Sequence, residues 1–205
     1  MFQKINKFNF ALSFFGLLLS FNIALADDSL VIWISPPTLT SLGNKTFQVD
    51  AEATLAQSEQ KVLKNAIDYD HYASSKIPSV VESHIVSQTK NSMVVWFHAE
   101  VNGIASLYYV QVNIAPLTHE STPNTSTEIS WHVIPADPSW PYASNDSVKQ
   151  LTGDLKLESL GNNQTHITYR TVMTPNTIVP EFMIKMVLTS MLKDEANLLF
   201  QMMAE

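Results

Sequence analysis

The chain has 205 residues, 45% of them apolar and only 15% charged, which supplies a sizeable core and too little polarity for disorder. Five glycines, ten prolines and no cysteine exclude collagen-like, glycine-rich and disulfide-stapled architectures. The formal charge is −7, Arg170 is the only arginine and there is no basic run, so the phosphate-binding surface that nucleic acid requires is missing.

Residues 1–26 read as a secretory signal peptide. Lys4 and Lys7 give a positive start, the apolar run Phe10–Ile23 is too short to span a bilayer, and Ala24-Leu25-Ala26 is a small-residue cleavage box before Asp27-Asp28. Cleavage after Ala26 is expected, leaving 179 residues in a periplasm or outside the cell and taking the formal charge to −9. With no cysteine at the box a lipid anchor is excluded, and with none elsewhere stability must come from packing.

Residues 27–44 read as an N-terminal arm and 45–205 as one domain. Leu30–Ile34 is apolar but is followed by Pro36-Pro37, which makes it an arm or edge strand at most. Lys45–Leu55 alternates strictly and predicts the first strand. Ser58 precedes Val62, Leu63, Ala66 and Ile67 at helical spacing, predicting a short helix that ends near Asp68, with a second from Asp70 to Lys76 before Pro78.

From Ser79 to Met173 the period is two. Six runs, at 80–88, 93–101, 105–114, 127–134, 148–157 and 165–173, are rich in Val, Ile, Tyr and Trp and predict an antiparallel meander. Thr177–Met203 holds no glycine and one proline, Pro180 in its first turn, and predicts a long closing helix. The expected fold is therefore α+β: a curved seven-stranded antiparallel sheet, two short helices after the first strand, and a C-terminal helix across the concave face. A curved sheet cannot touch a straight helix everywhere, so a cavity is expected between them.

Alternation assigns the faces. Val95 and Phe97, Tyr108 and Val110, Trp131, Leu155 and Tyr169 fall on the apolar, inward set, while His98, His132 and His166 fall on the outer one. His98 and His132 share that outer face, where a metal ion would need them to meet across strands. Neither cysteine nor a His-x-x-x-His spacing is present, so no metal or other cofactor is implied. A Gly-x-Ser-x-Gly elbow and a phosphate-cradling glycine loop are also missing.

Acid–base chemistry would need a desolvated phenol or carboxyl, for which Tyr108, Tyr169 and Glu195 are the candidates. Glu195 is expected at the polar, exposed end of the last helix beside Lys193, Asp194 and Asn197. Methionine adapts to irregular apolar ligands, which makes Met183, Met186 and the neighbouring Val187 candidate contacts. The segment Pro135–Asn145 carries three prolines with Trp140 and Tyr142, and reads as a lid or membrane-contacting loop, or else as a plug at the end of the core.

The order strand, two short helices, six strands, long helix resembles the START-like, polyketide-cyclase-like helix-grip domains. Local segments are similar too: Val62–Tyr72 followed by Pro78–Ser83, Gly153-Asp154-Leu155, and Ile178–Phe182 opening the last helix. The run Ser106-Leu107-Tyr108-Tyr109 departs from them, lacking the Arg-Asp pair that many relatives carry there. With the leader marking export, the resemblance implies a protein that binds a hydrophobic small molecule or lipid, with Tyr108 or Tyr169 orienting a polar head. Two other readings stand beside it: a cyclase, dehydratase or hydrolase using the same cavity, and a protein-interaction domain whose cavity its own side chains fill.

Overall fold

The computed structural model describes residues 30–73, 77–101, 104–117, 126–145 and 147–205; the leader with its cleavage site and the turn Asn102-Gly103 lie outside them. Eight strands form one antiparallel sheet: β1 (Val31–Gly43), β2 (Thr46–Leu55), β3 (Val80–Gln88), β4 (Ser92–Val101), β5 (Ile104–Leu117), β6 (Ser126–Ile134), β7 (Val148–Gly161) and β8 (Gln164–Pro175). Helix α1 (Glu59–Ala66) and a 3-10 turn at Tyr69–His71 lie between β2 and β3, and α2 (Glu181–Ala204) follows β8. Strand order is β1-β2-β8-β7-β6-β5-β4-β3, so the meander β3–β8 is extended at β8 by the β2–β1 hairpin. This is the expected helix-grip order.

The sheet has one strand more than expected. Pro36 and Pro37 do not stop β1, because it is an edge strand whose ladder slips on both sides of Ser35 and resumes at Thr38. Prolines without an N–H are tolerated at such irregular edge positions. Of the second short helix, expected from Asp70 to Lys76, the described residues show the single 3-10 turn at Tyr69–His71, and 74–76 lie outside them.

Two tight hairpin tips fix the β1–β2 and β7–β8 registers. Asn44 and Lys45 take φ of +52° and +60°, and Asn162 and Asn163 take +51° and +56°. Left-handed backbone at both central residues matches the right-handed twist of the flanking strands, and asparagine tolerates it.

The sheet is apolar on its inner face. Val95, Val110, Val112, Ile129, Leu155, Leu157 and Ile167 are buried there with Val62 and Ala66 of α1 and Phe200, Met203 and Ala204 of α2. A second cluster sits on the opposite face, where Val94, Trp96 and Tyr109 are covered by Trp140 and Tyr142. Tyr142 stacks 4.5 Å from Trp96 and 4.9 Å from His84, Tyr109 lies 4.6 Å from Trp140, and the Tyr109 hydroxyl donates to the Tyr142 carbonyl at 2.7 Å.

The segment 135–145 therefore covers the outer face and is no lid over the concave one, which corrects the expectation for Trp140 and Tyr142. Alternation correctly sends Trp96 and Tyr109 outward, but an outward position is not always a wet one.

Candidate functional site

Helix α2 is held at its two ends. At its last turn Phe200, Met203 and Ala204 are buried, and the Asn65 side-chain amide of α1 donates to the carbonyls of Met202 and Met203. At its first turn the Glu181 carboxylate accepts from the Ser41 hydroxyl at 2.5 Å and the Lys45 amide at 3.2 Å, while Lys45 Nζ donates to the Thr177 carbonyl at 2.7 Å. Between these anchors no residue from Glu181 to Leu199 is fully buried.

Both walls of the space between helix and sheet keep accessible surface. On the sheet Phe97, Tyr108, Trp131, Leu151 and Tyr169 are only partly buried, and on the helix so are Met183, Val187, Met191 and Glu195. Helix α2 packs chiefly on β1, β2 and α1 and does not seal the strands beyond them, which makes the grip a cleft. Two other hollows lie outside it: one at Asn65, Asp68, His71, Met202 and Glu205, the other on the outer face at Ser35, Asp50, Glu52, Thr168 and Arg170.

Aromatic rings floor the cleft. The β4–β5 register sets Phe97 opposite Tyr108, 5.7 Å apart and stacked, and Tyr69 of the 3-10 turn meets Phe97 edge-on at 5.8 Å. Further along, Trp131 lies 5.6 Å from Tyr169, which meets Phe200 at 6.3 Å. Val95, Val110 and Leu155, expected to line the ligand space, are sealed in the packing beneath. Met183 and Val187 flank the cleft, and Met186 is 52% exposed. With Phe182, one turn earlier on α2, and Ile178, in the bend before the helix, it makes an exposed apolar stripe where α2 begins.

Glu195 is not at an exposed helix end, contrary to expectation. Ser79 donates its hydroxyl to Glu195 Oε2 at 2.9 Å, and Oε1 is buried without a hydrogen-bond partner among the described residues. Burial pushes this carboxyl above its ordinary value, with the Ser79 hydroxyl and backbone acting the other way. Desolvation above all, with the Glu195 carboxylate adding to it, pushes the Tyr108 and Tyr169 phenols up to about 12, against a hydrogen bond with Thr171 that lowers Tyr169. Tyr69 and Tyr72 are likewise raised by desolvation, and the Tyr72 hydroxyl donates to the Ala66 carbonyl at 2.6 Å.

Carboxyl and phenols thus converge on one desolvated space. The sequence missed Ser79 and the two tyrosines of the turn; their one signal was proximity to Pro78 and the Asp-Tyr turn.

Ion pairs lie elsewhere. Arg170 binds Asp50 at 2.8 Å on the outer face, and His166 lies 2.9 Å from Glu52. His98 stands opposite Leu107 while His132 stands opposite Gln111, four residues further along β5, so the two histidines do not meet. No group of three or more His, Asp or Glu side chains among the described residues converges to hold a metal.

No protein-family model and no curated protein matches the sequence. Solved structures share its fold, at low identity. The human StarD13 lipid transfer and protein localization domain is 10% identical, covers 84% of this chain with 88% of its own, and has a TM-score of 0.61. The STAR-related lipid transfer protein from Xanthomonas axonopodis is 10% identical over 83% of this chain and 100% of its own, with a TM-score of 0.57. The Zhui aromatase/cyclase from a Streptomyces species is 13% identical over 77% and 93%, with a TM-score of 0.50. The fold is that of the START and polyketide-cyclase helix-grip proteins.

Proposed function

We propose that the chain is an exported binding protein that holds a lipid or other hydrophobic small molecule between the sheet and α2. The observation that carries this reading is the cleft: a helix fixed at both ends, with partly buried apolar and aromatic side chains on sheet and helix between the anchors. A fully closed grip would bury more of this surface, which favours a binding cleft over a purely structural grip. Burying apolar surface there is worth about 25 cal/mol per Å² before ordering costs. Two of the similar structures are named for lipid transfer, which supports the same class of ligand.

The exposed stripe of Ile178, Phe182 and Met186 sits where α2 begins, and transient membrane contact during ligand exchange would fall there. Export rests on the leader, with cleavage after Ala26. N-terminal sequencing of the protein from its host, in a fractionated extract, tests this; a first residue of Asp27 in the periplasmic or extracellular fraction is expected. Native mass spectrometry of that material, with Nile red uptake by the emptied protein, tests binding. A protein that carries nothing and takes up no dye overturns the reading.

Convergence of Glu195, Tyr108 and Tyr169 favours one second reading, an acid–base enzyme of the cyclase, dehydratase or hydrolase type working in the same cleft. Replacing the three one at a time would then abolish turnover in at least one case and spare uptake. Loss of uptake and turnover together in every variant would instead return the residues to binding.

A further inference from the structure

The cleft is asymmetric in its polar equipment. Its charged group is a carboxyl, and no lysine or arginine among the described residues forms an ion pair with it. Arg170 is committed to Asp50 on the other side of the sheet, and Lys45 to the Thr177 carbonyl at the far anchor of α2. Ser79 satisfies one oxygen of Glu195 and leaves the other buried without a donor. The Tyr108 and Tyr169 phenols lie within electrostatic reach of that carboxyl, and neither donates a hydrogen bond to it.

An ionised carboxylate only accepts hydrogen bonds, and a buried acceptor left unmatched is destabilising. A ligand that seats against Glu195 and displaces what covers Oε1 can supply the missing donor. Resting on the binding function proposed above, we propose that Glu195 Oε1 is the anchor for the ligand's polar end, and that this end is an O–H or N–H donor on an apolar body and not an acid. A hydroxyl satisfies Oε1 directly, and an ammonium adds charge pairing with rings on either side. A carboxylate or phosphate head meets a like charge in a desolvated site where no lysine or arginine among the described residues pairs with it. The cleft therefore selects against free fatty acids although its walls suit their chains.

Displacement of Nile red from the full mature protein by hexadecanol, hexadecylamine and palmitate, in mildly alkaline buffer, tests this. Hexadecanol and hexadecylamine are expected to displace the dye at concentrations roughly tenfold below palmitate. Glu195→Gln keeps an acceptor and removes the charge, so it should retain hexadecanol, weaken hexadecylamine and bring palmitate closer to both.

Palmitate matching hexadecanol in the wild type overturns the proposal without any variant, should Glu195→Gln fold poorly. An unchanged ranking in a folded Glu195→Gln also overturns it, because the carboxyl would then serve only to hold α2 to Ser79. Either result leaves the binding function standing if the dye is taken up. No uptake of Nile red or of any of the three chains removes both.

Discussion

The indole of Trp131 occupies the space that a Cβ on Gly153 would need: built there, that carbon would collide with Trp131 Cζ2 and lie 2.5 Å from the Arg170 carbonyl oxygen. The two residues face each other across β6 and β7, so the missing side chain lets a large ring lie low on the sheet beside Tyr169. Gly153→Ala should cost about 1–3 kcal/mol, since the backbone contact cannot be relieved by moving the ring alone. Nile red uptake should weaken with it as Trp131 is pushed toward the cleft. A urea midpoint equal to that of the wild type would contradict this.

The outer cluster should matter for stability and not for binding. Trp140→Ala uncovers Tyr109 and is expected to cost about 2–4 kcal/mol, toward the low end of core aromatic truncations because Trp140 is only partly buried. Dye affinity of the folded fraction should stay as in the wild type. A loss of affinity larger than the loss of folded protein would show that the two faces are coupled through the sheet.

Glu195 gives a pH signature with a definite sign. Its folded carboxyl is raised above 4.5 by burial, so its contribution to stability is fully present below about 4.5 and is lost as pH rises through the raised folded value. Glu195→Gln does not titrate, and the stability of wild type minus variant should fall over that window. Asp50 works the other way: burial raises it, but hydrogen bonds from Gln48 and Arg170 and the guanidinium charge win and hold it below 3.8. Its contribution is lost as pH falls through that lowered value, and it cancels in the difference because both proteins keep it. Denaturant titrations across the acid range measure this, and a pH-independent difference would contradict it.

Glu181 clasps the first turn of α2 to the β1–β2 hairpin through Ser41 and Lys45. Glu181→Ala should leave global stability nearly unchanged, since the group is near the surface. Hydrogen exchange in the first two turns of α2 should quicken, and dye release should speed up, while protection of the Phe200 turn stays. Uniform loss of protection along the helix would mean that the clasp is not a local restraint.

The sequence shows the fold more clearly than the site. Strict alternation in runs such as Val95 to Val101 marks strands and separates their faces, because only a pleated ladder repeats every two residues. β1 was harder to read, since Pro36-Pro37 mimics a break and only the edge position explains its tolerance. Glu195 was misread for a related reason. Its neighbours Lys193, Asp194 and Asn197 look like a solvated stretch, and its hydrogen-bond partner is Ser79, 116 positions away, which no local pattern encodes. Trp140 and Tyr142 likewise gave their size and stiffness but not the face they cover.

The division of aromatic residues between the two faces has an optical consequence. Of the four tryptophans, Trp33 and Trp131 belong to the inner core and Trp96 and Trp140 to the outer cluster. Native emission is thus the sum of two separate reporters, of which the inner pair stands on the face that α2 covers. A chain carrying phenylalanine at 96 and 140 would give fluorescence from the grip alone, and occupancy could be followed without any added dye.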